Sequence, residues 1–104
     1  MSDERVERIK TMESKYDNVK PKVEAFKEKL DEMKKIYEDL KVLSDYYSSN
    51  WKSDYEADEE GKIPKDLKRG ILGQDTLFDF FTDCSEIGNE MKNLADKINQ
   101  LKWI

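Results

Sequence analysis

Residues 9–47 read IKTMESKYDNVKPKVEAFKEKLDEMKKIYEDLKVLSDYY, and the apolar positions among them decide the fold. Ile9, Met12, Tyr16, Val19, Val23, Phe26, Leu30, Met33, Tyr37 and Leu40 follow one another at alternating spacings of three and four, the seven-residue beat of a coiled-coil seam. A repeat of that period puts all of them on one face of a helix. Ser44 interrupts the seam and Tyr47 resumes it, while Ile36, Leu43 and Tyr46 widen the face toward its C-terminal end. The expected helix covers about residues 3–50.

Pro21 falls inside this stripe, where proline removes a backbone hydrogen bond and crowds the preceding turn at about 3 kcal/mol. Either Asp17 caps a new helix with Pro21 in its first turn, or one long helix kinks at the proline. The heptad phase survives Pro21 and no glycine marks a reversal, which favours the single kinked helix.

A second stripe follows, with Leu77, Cys84, Met91 and Ile98 alternating with Phe80, Ile87, Leu94 and Leu101. It predicts a helix over about 75–102, with Asp75 placed to cap it. Val23–Tyr47 and Thr76–Lys102 are nearly equal in length, each on the order of 40 Å. The expected fold is therefore all-α, a long antiparallel helical hairpin of coiled-coil character forming one domain over residues 1–104. So thin a hairpin has little core, and Val6, Ile9, Met12 and Tyr16 overhang the partner helix unless residues 3–18 fold back. A homodimer is the expected remedy.

Between the stripes, residues 48–74 read SSNWKSDYEADEEGKIPKDLKRGILGQ, and here the heptad stops. Tyr47, Trp51 and Tyr55 recur every fourth residue, so helix is expected to run through them until Gly61 ends it. Pro64 followed by Gly70 brackets one or two turns of a short helix, with Ile71 and Leu72 folding back onto it. A connector this long inside a small domain is usually structured or functional.

Tyr46-Tyr47, Ser49, Trp51, Asp54-Tyr55-Glu56-Ala57-Asp58-Glu59, Gly61, Pro64 and Asp66 through Leu72 make a pattern that resembles a small bacterial family of helical proteins of unknown function. The resemblance implies a long amphipathic helix, this segment and a second helix, and it implies no reaction. Gly73 departs from the pattern, standing where a serine helix cap is expected.

Composition excludes several chemistries. The chain has no histidine and one cysteine, which rules out His/Cys zinc sites, Ser-His and Cys-His nucleophiles and an intrachain disulfide. Cys84 sits on the apolar stripe beside Asp83 and Glu86 and reads as a small buried hydrophobe. With 24 acidic and 19 basic residues the net charge is −5, and the two signs interleave along the helices rather than forming a basic face. Neither nucleic acid nor a membrane is an expected partner. Met1-Ser2-Asp3-Glu4-Arg5 has no apolar leader core, so a cytoplasmic location is expected.

Asp54, Glu56, Asp58, Glu59 and Glu60 set five carboxylates in seven residues, a composition that suits hard cations. The EF-hand pattern fails, however, since counting from Glu56 puts Gly61 sixth but Leu67 at the twelfth position, where a glutamate is required. Pairing with Lys65, Lys68 and Arg69 is the simpler expectation, and no metal or cofactor is assigned. General acid–base catalysis by paired carboxylates would need a pocket that a thin hairpin does not offer. Tyr47, Trp51 and Tyr55 suit either a small core closing the open end of the hairpin or an aromatic patch for a partner.

The leading functional reading is a non-enzymatic interaction or structural protein that offers Trp51–Leu72 to a protein partner, with Tyr47, Trp51, Asp54, Tyr55, Glu56, Asp58, Asp66, Lys68 and Arg69 as candidate contact residues. The alternatives are a small secretion-associated helical protein, an immunity-type protein and divalent-cation binding at the acidic connector. Trp51-Lys52-Ser53 resembles the W-x-G turn of hairpin exporters only weakly, because Ser53 replaces the glycine and the connector is far longer than their tight turn.

Overall fold

The structure is a computed structural model that describes residues 2–103. The chain is all-α: helix α1 (Ser2–Tyr47), helix α2 (Trp51–Glu59), a 3-10 turn (Gly70–Leu72) and helix α3 (Thr76–Asn99), with no strand among the described residues. It divides into two compact units, Met1–Lys41 and Val42–Ile104.

The first unit is a stretch of α1 alone. Asp3 and Glu4 lie in its first turn, where acids favour the positive end of the helix dipole. Side chains three or four residues apart support it, through Lys10–Glu7 at 3.5 Å, Lys29–Glu32 at 3.3 Å, Lys34–Asp31 at 3.8 Å and Lys22 Nζ donating to Asn18 at 2.7 Å. These supports are exposed, and each is worth only a few tenths of a kcal/mol, roughly. Pro21 is carried inside the unbroken helix, which removes the alternative of a fresh start capped by Asp17. A single helix cannot cover its own apolar face, and Val23 is accordingly 60% exposed.

The second unit holds the core. α1 ends at Tyr47, three residues short of the expected 50, because Ser48 and Ser49 turn their hydroxyls back onto the carbonyls of Ser44 and Asp45 at 2.7–3.2 Å. The Ser44 carbonyl also accepts from Ser48 N, whereas Ser49 N turns to the Tyr46 carbonyl and leaves that of Asp45 to the two hydroxyls. A turn over residues 48–50 then breaks the helix that was expected to run on through Trp51. α2 closes at Gly61, whose φ of +74° is the left-handed conformation glycine adopts without penalty. Gly61 N donates to Asp58 O and Lys62 N to Ala57 O, the paired bonds of a Schellman cap.

The short helix expected between Pro64 and Gly70 does not form. Leu67 N to Pro64 O, at 3.2 Å, makes a single turn there. Four or five residues cannot offset the cost of nucleating a helix. Gly70 instead opens the 3-10 turn, and that turn packs against both α2 and α3. Its Leu72 and the adjoining Leu77 of α3 are the buried residues of the core, at 8% and 4% exposure. Ile71, expected to fold inward with Leu72, points outward.

Asp75 occupies the N-cap of α3 and its carbonyl accepts from Asp79 N at 2.8 Å, but its side chain makes no capping bond. Gly73 has a steric reason for not being serine. A Cβ there would stand 2.5 Å from Thr76 Oγ1 and 3.2 Å from the Gly70 carbonyl. Cys84 is half-buried rather than enclosed, and α3 stops at Asn99, leaving Leu101 outside the helix and exposed. Beyond Cys84 the second unit leaves its own stripe open as well, with Ile87 and Ile98 both 52% exposed. The stripes expected to be buried therefore stand open to solvent away from the connector, from Val6 to Tyr37 in α1 and from Ile87 to Ile98 in α3.

Candidate functional site

The connector is organised around Trp51. Tyr47, at the end of α1, meets its ring edge-on at 5.1 Å, and Tyr55, one turn further along α2, stacks on it at 5.0 Å. Tyr47 also leans on Phe81 of α3 at 5.8 Å, which ties the aromatic row to the Leu72–Leu77 core. The indole Nε1–H donates to the Ile71 carbonyl at 2.7 Å, a bond spanning twenty residues that staples α2 to the 3-10 turn. Aromatic pairs of this geometry contribute about 0.5–1.5 kcal/mol each beyond burial. The row thus closes the core and also lines an open groove of about 470 Å³ with Lys52, Glu56 and Gln74.

A second groove, of about 260 Å³, lies between α2 and the segment leading into the 3-10 turn, lined by Tyr46, Asp54, Ile63, Leu67, Lys68, Arg69, Ile71 and Leu72. Asp54 accepts a 2.7 Å hydrogen bond from the Tyr46 hydroxyl. Arg69 Nη1 forms an ion pair with Asp58 Oδ1 at 3.0 Å, both side chains being about two-thirds or more buried, and also donates to the Ile63 carbonyl at 3.5 Å. Glu60 pairs with Lys62 at 2.7 Å. Asp54, Asp58 and Glu60 of the acidic run are thereby drawn to separate partners, and among the described residues no three metal-ligating side chains converge.

Of the nine candidate residues, Tyr47, Trp51, Tyr55 and Glu56 meet at the first groove, and Asp54, Lys68 and Arg69 at the second. Asp58 joins the second set through Arg69. Asp66 is exposed on the Pro64 turn and lines neither groove. Tyr46, Lys52, Ile63 and Gln74 also line the grooves and stand outside those nine. Tyr46 carried a visible signal, since a tyrosine on the widened apolar face brings a hydroxyl that needs a partner.

Burial first, then the bond to Asp54 and its negative charge, pushes the Tyr46 pKa from 10.0 up to about 12. Unfolded, Tyr46 loses its proton near 10; folded, it keeps it until about 12. Over that interval the unfolded chain binds fewer protons, so this contribution to stability is complete below pH 10 and declines as pH rises toward 12. In a tyrosinate absorbance titration, one of the five tyrosines is expected to ionise last, and Asp54→Ala to return it toward the others. Five tyrosines ionising together would contradict the bond.

These features define a class: a small all-α protein in which a long helix and a later one are joined by a folded connector with an aromatic row and two part-buried polar pairs. The chain belongs to the family described as Domain of unknown function (DUF4298), whose pattern matches residues 9–100. No curated protein and no solved structure matches it. Among the described residues, no helix is long and apolar enough to cross a membrane.

Proposed function

We propose that the chain is a non-enzymatic interaction protein of the cytoplasm, which presents its connector to a protein partner and associates with itself through the open stripes. The observation supporting the first part is the stapled aromatic row. Trp51 and Tyr55 are fixed by stacking and by the bond to Ile71, and they border an open groove with exposed Lys52 and Glu56 at its rim. Side chains ordered before binding lose less entropy on binding, and aromatic anchors concentrate affinity. Asp54, Asp58 and Glu60 are engaged by Tyr46, Arg69 and Lys62, which suits a structural role better than proton transfer.

The test is affinity capture from the native cell with wild type and a Lys52→Glu, Glu56→Lys exchange. Both residues are exposed, so helix content by circular dichroism should not change. A specific partner is expected to be held by wild type and lost by the exchange. Identical captures from both would remove this groove from the reading.

A further inference from the structure

The apolar stripe of α1 is fenced by lysine on both borders. With Ile9 at heptad position a, position g carries Arg8, Lys15, Lys22 and Lys29, and position e carries Lys20, Lys27, Lys34 and Lys41 after Glu13. Read linearly, the charges interleave and no basic face is expected. The unbroken helix corrects this by sorting the lysines onto the borders of the stripe, with Asp17, Glu24, Asp31, Glu38 and Asp45 behind the e border at position b. Another α1 is a poor cover for such a face. Antiparallel packing brings g to g and e to e, parallel packing brings g to e, and most of these meetings set lysine on lysine.

α3 carries the complementary border. Its g positions include Asp83 and Glu90, followed by Lys97, while Gly88 and Ala95 stand at e. Its stripe is open at Ile87, Met91, Leu94 and Ile98, and among the described residues no salt bridge engages Asp83 or Glu90. We infer that the α1 stripe of one copy is covered, antiparallel, by the α3 stripe of a second copy, and reciprocally. In the register that sets Lys22 against Glu90 and Lys29 against Asp83, the stripe from Met12 to Val23 lies along that from Ile98 to Ile87. Lys97 then meets Lys15, the one like-charged neighbour on this border. On the other border, the Lys20 stem can lie across Gly88 with its ammonium group in water, and Ala95 faces Glu13.

The acids at b also weigh against an anionic membrane as the cover, because the basic borders are only as wide as a facing helix. Lys29 is held in the single chain only by an exposed contact with Glu32, which is readily exchanged. Two equivalent contacts per dimer follow from two-fold symmetry.

The inference rests on the self-association proposed above, and the experiment separates the two. Sedimentation equilibrium is run on wild type, on Asp83→Lys/Glu90→Lys, on Lys22→Glu/Lys29→Glu, and on an equal mixture of the two variants, with circular dichroism to show that each remains helical. Expected are a wild-type dimer, dissociation constants raised about tenfold or more in each variant alone, and recovery in the mixture as a heterodimer, where each contact again joins opposite charges. A wild type that is monomeric, with or without binding to phosphatidylserine vesicles, overturns both self-association and this pairing. A wild-type dimer that the charge reversals leave intact keeps self-association and overturns the pairing.

Discussion

Leu77→Ala is expected to destabilise the second unit by about 2–5 kcal/mol, the range for emptying a leucine site in a core that cannot fully collapse. The effect is large because the core is small. Leu72 and Leu77 are its buried residues, and Leu77 is the more enclosed at 4% exposure. It stands in the first turn of α3, where that helix meets the 3-10 turn, so its removal uncouples α3 from the connector. For a domain of this size each kcal/mol lowers the melting temperature by about 4–8 °C. A fall of roughly 10 °C or more in the near-ultraviolet circular dichroism melt is therefore expected. A loss under about 0.5 kcal/mol, as at an ordinary surface position, would mean that the unit is fastened elsewhere.

Trp51→Ala is expected to follow closely, at about 3 kcal/mol, and Trp51→Phe to lose about 1 kcal/mol. The alanine variant removes both aromatic contacts together with the indole bond to Ile71, whereas phenylalanine keeps a ring for Tyr47 and Tyr55 and deletes only the donor. The difference between the two variants measures the stacked row, and the phenylalanine loss measures the staple. Urea denaturation supplies both values, best in a Trp103→Phe background, because Trp103 is 79% exposed and would contribute a solvent-facing signal. Equal losses from both variants would assign the role of Trp51 to the hydrogen bond alone.

The helices were legible in the sequence because their signals are local. Heptad spacing carried α1 through Pro21, and Gly61 marked the close of α2 because only a left-handed residue completes that cap. What covers a stripe is not local information. Periodicity says that Val23 and Ile98 share faces with their neighbours, but both are exposed in the chain, and the lysine borders that bear on the choice of cover emerge only when the sequence is wound onto a continuous helix.

The site was legible in composition and not in connection. Trp51 and Tyr55 showed their spacing, while the bond from Trp51 to Ile71 crosses twenty residues, and Tyr46 reaches Asp54 only because Ser48 and Ser49 end the helix between them. The Pro64–Gly70 bracket misled for a physical reason: helix-flanking residues alone do not supply enough turns to make a helix.

Hydrogen–deuterium exchange on the intact chain at low and high protein concentration reads both levels of organisation together. Expected are slow amides around Leu72 and Leu77 at every concentration, with protection over 12–23 and 87–98 rising as concentration rises. Protection spread evenly along α1 and α3 at the lowest concentration would contradict a chain fastened at its connector and left open along its stripes.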